Sequence, residues 1–283
     1  MPTDLQAVPA SHYDYDTLAA LYNQTRVDYI VPMPMNAQRM QEYVTWYDIR
    51  LEESVVVTQP NGTAIGLAML GMRGTRAWIT RLGVNPEARV RGAGHLMMDH
   101  LLANARRCGA VTAQLEVIAG NDPALRLFQK LGFAATRELL VIRRAPKPHT
   151  EGTEPLGINA RELSESEIQE CLKTRVGASS WVDDTRSLLN VGALQGVSLS
   201  LYDGSVGWAV FMCTRFQIQH IVLQSTPLHD PNISFALLYE IHKRYPNRDT
   251  KVENIPLDAP AFAAYQRLGY LVAFRRLEMW LTL

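Results

Sequence analysis

The chain has 283 residues, 47% of them apolar, and its 28 basic and 28 acidic side chains give a formal net charge of zero. That is enough chain for one large domain or two ordinary ones with complete cores. The charge balance argues against a nucleic-acid-binding protein, whose affinity rests on a basic surface, and no apolar run approaches the length needed to span a bilayer. The opening Met1-Pro2-Thr3-Asp4 is polar and acidic, unlike a secretory leader. Cys108, Cys171 and Cys213 are odd in number and widely spaced, which reads as reduced thiols rather than a disulfide frame or a zinc site. A cytoplasmic protein with no membrane or nucleic-acid partner and no metal is the expectation.

In chain order, 5–8 reads as a strand and 14–26 as a helix with Leu18, Leu21 and Tyr22 on one side. Residues 30–36 carry Pro32 and Pro34 between methionines and read as a loop. Asn36 can cap a helix running to about 48, with Met40, Tyr43, Val44 and Tyr47 inward. Strands are expected over 54–58, 63–72 and 77–84; the first two are joined by Asn61-Gly62, a strong hairpin signal, and Gly74 turns the chain into the third. A helix over 93–108 stops at Gly109, and a period-two strand follows over 111–118. Asp122-Pro123 opens a short helix to Leu131, and a strand covers 133–143. The stretch 144–157 (RAPKPHTEGTEPLG) has no period and reads as a linker. Beyond it, helices are expected over 165–176, 184–191, 233–245 and 259–268. Strands are expected over 197–202, 205–213, 216–223 and 270–283.

Between the third of the early strands and the helix that begins at Ala93 lies Arg89-Val90-Arg91-Gly92-Ala93-Gly94, with His95 directly after. Strand, glycine-rich turn and helix form an arrangement that holds phosphate. Successive backbone N–H groups line one concavity, and the helix N-terminus adds its partial positive charge. Gly92 and Gly94 remove Cβ atoms where an anion must approach the main chain, and Arg89 and Arg91 add forked donors. The pattern is neither the Walker loop nor the dinucleotide fingerprint.

The second half repeats the plan of the first. PALRLFQKLGF from Pro123 aligns without gaps with PAFAAYQRLGY from Pro260, so Gln129 meets Gln266, Gly132 meets Gly269 and Asn121 meets Asp258. This points to duplication, with look-alike helix-to-strand turns as the alternative.

RLGVNPEARVRGAGHLMMDHLLANARRCGA and LEVIAGNDPALRLFQKLGF resemble the cofactor-binding motif, and the motif after it, of the GNAT acyl-CoA N-acyltransferase superfamily. The resemblance implies an α/β fold of two tandem GNAT-like domains, 1–145 and 156–283. Each would be a central, mostly antiparallel sheet with two splayed strands, flanked by helices. It implies acetyl-CoA entering the gap between Leu82-Gly83-Val84 and Val117-Ile118. The loop from Arg89 through Val90, Arg91, Gly92, Ala93 and Gly94 to His95 would hold the diphosphate, and Asn121 and the following helix, with Phe128, would line the thiol side. A backbone N–H near Val84 would polarise the thioester carbonyl. The loop that carries Asp28, Tyr29 and Met33 would close over a small-molecule primary amine, attacked in a ternary complex.

The sequence departs from the family pattern in three places. Phe128 stands where a tyrosine general acid is frequent, and that tyrosine appears only in the second copy, as Tyr265. The strand before the loop reads Ile79-Thr80-Arg81, without the frequent glutamate; the substitute is Glu116, which shares a strand face with Gln114. A base is needed because an amine arrives protonated; the alternative is that Glu116 is a structural acid. In the second copy the loop becomes Thr226-Pro227-Leu228-His229-Asp230-Pro231, with two prolines that lack an N–H and an added negative charge. That half is expected not to bind CoA in the usual way, and to serve as support, as an acceptor wall or as a homodimer surface. A CoA-binding sensor without turnover is the rival reading of the whole chain.

Overall fold

The computed structural model describes residues 5–88, 92–147, 155 and 158–283. Contacts divide the chain into two compact units: Met1–Thr136 with Leu277–Leu283, and Arg137–Arg276.

Unit 1 is built from β1 (Gln6–Pro9), α1 (Tyr15–Gln24), α2 (Ala37–Trp46), β2 (Val55–Thr58), β3 (Ala64–Arg73), β4 (Arg76–Val84), α3 (Ala93–Arg107), β5 (Thr112–Ile118), α4 (Asp122–Lys130) and the start of β6 (Ala134–Arg144). Asp14 caps α1 by accepting the Thr17 N–H at 2.8 Å, and Asn36 caps α2 by accepting that of Arg39 at 2.9 Å. The sheet runs β1-β2-β3-β4-β5, antiparallel throughout except for β4 and β5. β3 is buried from Ile65 through Met72, as a strand covered by helices on both faces must be. The core under α3 joins Met97, Met98 and Leu101 to Ile65, Ala68 and Leu115, and Met279 from the chain's last residues packs into it. Those residues are tied in by Leu283, whose N–H donates to the Val111 carbonyl at 3.0 Å.

Unit 2 continues β6 and adds β7 (Asn159–Glu162), α5 (Glu165–Lys173), α6 (Thr185–Val191), β8 (Leu194–Ser200), β9 (Val206–Cys213), β10 (Gln217–Thr226), α7 (Pro231–Arg244), β11 (Asp249–Pro256), α8 (Phe262–Arg267) and the first part of β12 (Leu271–Thr282). Its sheet runs β6-β11-β10-β9-β8-β7, with only β10 and β11 parallel. α7 covers one face through Ile233, Leu237 and Ile241, and α5 and α6 cover the other through Ile168, Leu172 and Leu188. Each unit is thus the mostly antiparallel, helix-flanked sheet expected from the sequence.

Two strands were not expected. β11 (DTKVENIP) spreads few apolar residues among Asp, Lys, Glu, Asn and Pro, all poor strand formers, and forms because it is paired on both sides. β7 is a short edge strand of the same polar kind. Arg144, expected to open the linker, is instead the buried last residue of β6, and its Nε donates to the Leu268 carbonyl at 2.9 Å. Most of the linker expectation, over 148–154 and 156–157, lies outside the described residues. α8 starts at Phe262 rather than at 259, because no side chain caps it earlier.

Candidate active site

β4 and β5 pair only over Arg76↔Thr112, Ala77↔Ala113 and Trp78↔Gln114, although β4 runs on to Val84 and β5 to Ile118. Beyond Trp78 the strands part. The cause sits on the other edge of β4. Its register with β3 jumps between Leu67↔Gly83 and Met69↔Thr80, so Arg81 and Leu82 together oppose Ala68. Arg81 takes a left-handed φ of 57° to make this bulge, which bends the strand away from its neighbour. The parted edges offer main-chain donors and acceptors to a ligand that lies between them like an added strand. Gly83 is required here for a reason internal to the fold: a Cβ would stand 2.6 Å from Thr25 Oγ1, at the end of α1. On that same side Arg26 Nη2 donates to the Leu82 carbonyl at 3.2 Å.

In the chain, α3 follows β4. Arg89, Val90 and Arg91 lie outside the described residues. Gly92 follows as the N-cap, at φ 105°, with open space where a Cβ would point. Ala93 is buried, and Gly94 lets the turn approach α4, since a Cβ would meet Leu127 at 3.3 Å. Gly92 has no side chain to cap α3, so among the described residues the amides of the first turn have no N-cap acceptor. His95 stands at the start of the helix, 3.6 Å from Asp99.

The face of the sheet under α1 and α2 gathers polar and aromatic groups beside the gap. Glu116 lies on β5 past the last pair with β4, and its Oε2 accepts the Trp78 indole N–H at 2.7 Å. Trp78 packs against Tyr47 and Tyr43, with centroids 5.7 and 6.1 Å away. The Tyr43 hydroxyl shares a 2.6 Å hydrogen bond with Thr80, and burial pushes that phenol up to about 12. The Arg81 guanidinium lies 4.2 Å over the Tyr43 ring and donates to the Tyr22 hydroxyl at 2.9 Å. Arg26 stacks between Tyr22 and Tyr29, at 4.5 and 4.9 Å. Arg26, Tyr43 and Trp78 fall in elements the sequence predicts, Tyr43 as an inward helix residue, but none is singled out there as a site residue, and Arg81 appears there only as the place of a missing acid. Their aromatic and cationic spacing is visible only once α1, α2 and β4 are brought together.

The other expected site residues are placed as follows. Tyr29, through Arg26, is tied to the same cluster as Tyr22. Asp28 is exposed and Met33 half-buried in the α1–α2 loop, which is pinned by Asn23: its side chain exchanges hydrogen bonds of 2.8 and 2.9 Å with the Met35 backbone. Asn121 serves as the N-cap of α4, accepting the Ala124 N–H at 3.4 Å. Phe128 is buried in the α3-side core, edge-on to Phe133 at 6.1 Å.

Unit 2 has the same backbone device. β10 and β11 pair at Gln217↔Asp249 and Ile218↔Thr250 and then part, opposite a register shift between Gln219 and Val222 where His220 takes φ 56°. Its helix start is different. Asp230 caps α7, its Oδ1 accepting the N–H groups of Asn232 at 2.7 Å and Ile233 at 3.2 Å, and Pro231 has none to give. The donors that a diphosphate needs are engaged by a carboxylate of the same sign. Among the described residues no group of three His, Cys, Asp or Glu side chains is placed to hold a metal, and no helix is long and apolar enough to cross a membrane.

A bulged, splayed parallel pair with a glycine-started helix after it is the architecture that the resemblance to acyl-CoA-dependent acyltransferases implies. The family model of the acetyltransferase (GNAT) family matches residues 18–133. The ribosomal protein bS18-alanine N-acetyltransferase of Escherichia coli K12 is 31% identical over 104 residues, which cover 37% of this chain and 68% of that one. The L-methionine sulfoximine/L-methionine sulfone acetyltransferase of Salmonella typhimurium is 27% identical over 128 residues, 43% and 68% of the two chains. In fold, the chain is similar to a GCN5-related N-acetyltransferase from Sphaerobacter thermophilus (TM-score 0.75, 21% identity, 99% of this chain and 96% of that one). It is also similar to a tandem GNAT protein from the clavulanic acid biosynthesis pathway (TM-score 0.66, 15% identity, 98% of each). The chain belongs to the GNAT family, whose acetyl donor is acetyl-CoA, and it is an N-acetyltransferase with two GNAT-like units in tandem.

Proposed function

We propose that the protein transfers acetyl from acetyl-CoA to a primary amine of a small molecule, by direct attack in a ternary complex formed in unit 1, without a metal. The observation that carries this reading is Glu116 standing on the open part of β5, beside the parted edge of β4. Acetyl-CoA, when bound, would supply the acetyl group from its thioester, with coenzyme A released as the thiol. The first turn of α3, from Gly92 through His95, fits its diphosphate, with Arg89 and Arg91 as charge partners. The edges Leu82–Val84 and Val117–Ile118 fit its pantetheine arm.

Glu116 takes the proton of the arriving ammonium, directly or through water, while the Trp78 indole holds one carboxylate oxygen in place. An N–H near Val84 stabilises the oxyanion. Phe128 offers no hydroxyl to the departing sulfur, so water protonates it, a tolerable step for a thiol whose ordinary pKa is about 8.5. Asp28, Tyr29 and Met33 border the acceptor, and the exposed Val27 and Ile30 of the same loop favour one with apolar parts. Thiol release across a panel of small amines, read against peptides with free N-termini, tests this. Turnover of a small amine with saturable kinetics is expected, and acetylation confined to peptide termini would overturn the small-molecule acceptor.

A further inference from the structure

Where β10 and β11 part, unit 2 carries a half-open pocket of about 120 Å³. Val222 and Leu223 on one strand and Val252 and Ile255 on the other give it apolar walls. Arg175, Asp183, Asn254 and Tyr265 bring polar groups to the same space. The combination of apolar lining and a few convergent polar groups is that of a small-molecule site. A void of about 150 Å³ takes a molecule the size of benzene, so this one takes about six heavy atoms or fewer.

The polar groups are held, not loose. The Arg175 guanidinium donates to the Asp183 carbonyl. Asn254, in a left-handed conformation at φ 58°, donates to Ser180 at 3.2 Å and accepts from Arg276 at 2.8 Å. Glu253 is matched by Lys251 at 2.5 Å and Arg276 at 2.8 Å. The charge that faces the cavity is therefore the Arg175 cation, with the Asp183 and Asp184 carboxyls and the Tyr265 phenol acting on it.

We propose that this cavity binds a short-chain aliphatic monocarboxylate, its carboxylate on Arg175 and its tail between β10 and β11. A guanidinium is the side chain best matched to a carboxylate, through paired N–H donors. The groups around Asp183 are Arg175, Glu253 and Arg276, with the Ser180 hydroxyl donating to it at 3.4 Å. Removal from water, helped by Glu253, outweighs Arg175, Arg276 and the Ser180 hydrogen bond and raises this carboxyl to about 7. Below that pH it is a neutral hydrogen-bonding neighbour for an anion; above it, a competing charge for Arg175. The site is separate from the acetyl-CoA gap of unit 1, and nothing in it supplies a diphosphate cradle.

The test is titration of the full chain with sodium butyrate, followed by ligand-observed NMR at pH 6 and pH 8, with n-butylamine hydrochloride as the opposite charge. Saturable binding of butyrate at pH 6 is expected, weakened several-fold at pH 8, at least tenfold weaker in Arg175→Gln, only partly recovered in Arg175→Lys and unchanged in Gly94→Asp. If Arg175→Gln fails to fold by circular dichroism, Asp183→Asn decides the matter, because butyrate binding should then lose its pH dependence. Binding of butylamine in place of butyrate, no saturable butyrate binding, or binding lost in Gly94→Asp and kept in Arg175→Gln would each overturn the proposal.

Discussion

In unit 1, β4 and β5 pair over three positions and part; in unit 2, β10 and β11 pair over two and part, each beside a bulge made by a residue at positive φ, Arg81 in one and His220 in the other. The gaps lead to unlike helix starts. α3 begins at Gly92 without a side-chain cap, whereas α7 begins under the Asp230 carboxylate and a proline. The two units thus share the backbone device and differ in the helix start that follows it. The splay is fixed by strand register and survives extensive sequence change. In unit 2 Asp230 and Pro231 both act on the first-turn donors that the proposed diphosphate site of unit 1 would use.

The largest effect should come from giving unit 1 the chemistry of unit 2. Gly94→Asp puts a carboxylate at the start of α3, and acetyl-CoA affinity by calorimetry should fall by about 100-fold or more, as expected when a like charge displaces an anion from a helix N-terminus. Glu116→Gln should lower kcat by about 100-fold while leaving acetyl-CoA affinity within a factor of two, and should remove the acidic limb of the kcat/KM profile. Gly83→Ala sharpens the comparison of the bulges. Val222 holds the matching register position in unit 2 and carries a side chain, but at Gly83 a Cβ meets Thr25 and Arg26. A loss of about 1–3 kcal/mol in denaturant unfolding is expected.

Asp183→Asn separates the units by pH. Folding raises the Asp183 carboxyl from 3.8 to about 7, so the folded state holds the proton that the unfolded state gives up between those values. Wild-type stability from this group therefore falls as pH rises from about 4 to about 7. The Tm of Asp183→Asn should gain on wild type between pH 5 and pH 8; a constant difference would contradict the shift. The smallest effect is that of Asp230→Ala, which removes the α7 cap at a cost of about 1 kcal/mol and should leave acetyl-CoA affinity unchanged.

Much of this was legible in the sequence, because local signals and tertiary structure agree. Asn36 and Asp14 cap helices where the periodicity begins, Asn61-Gly62 joins an antiparallel pair, and PALRLFQKLGF and PAFAAYQRLGY both yield a helix that enters a strand. β11 was illegible because its strand character comes from pairing with β6 and β10 rather than from its own residues. The bulge at Arg81 was illegible for a related reason: register is a property of two strands, and no composition cue marks a positive φ at arginine. Glu116 could be named from the alternation of β5, but its indole partner could not, since Trp78 and Glu116 meet only across the opening pair.

The most direct test is a crystal structure of the full chain with acetyl-CoA bound. One molecule per chain is expected, with its diphosphate on the amides from Gly92 to His95 and its thioester beside Glu116. A diphosphate at the start of α7, against Asp230, or a second molecule in unit 2, would contradict the assignment of the chemistry to unit 1.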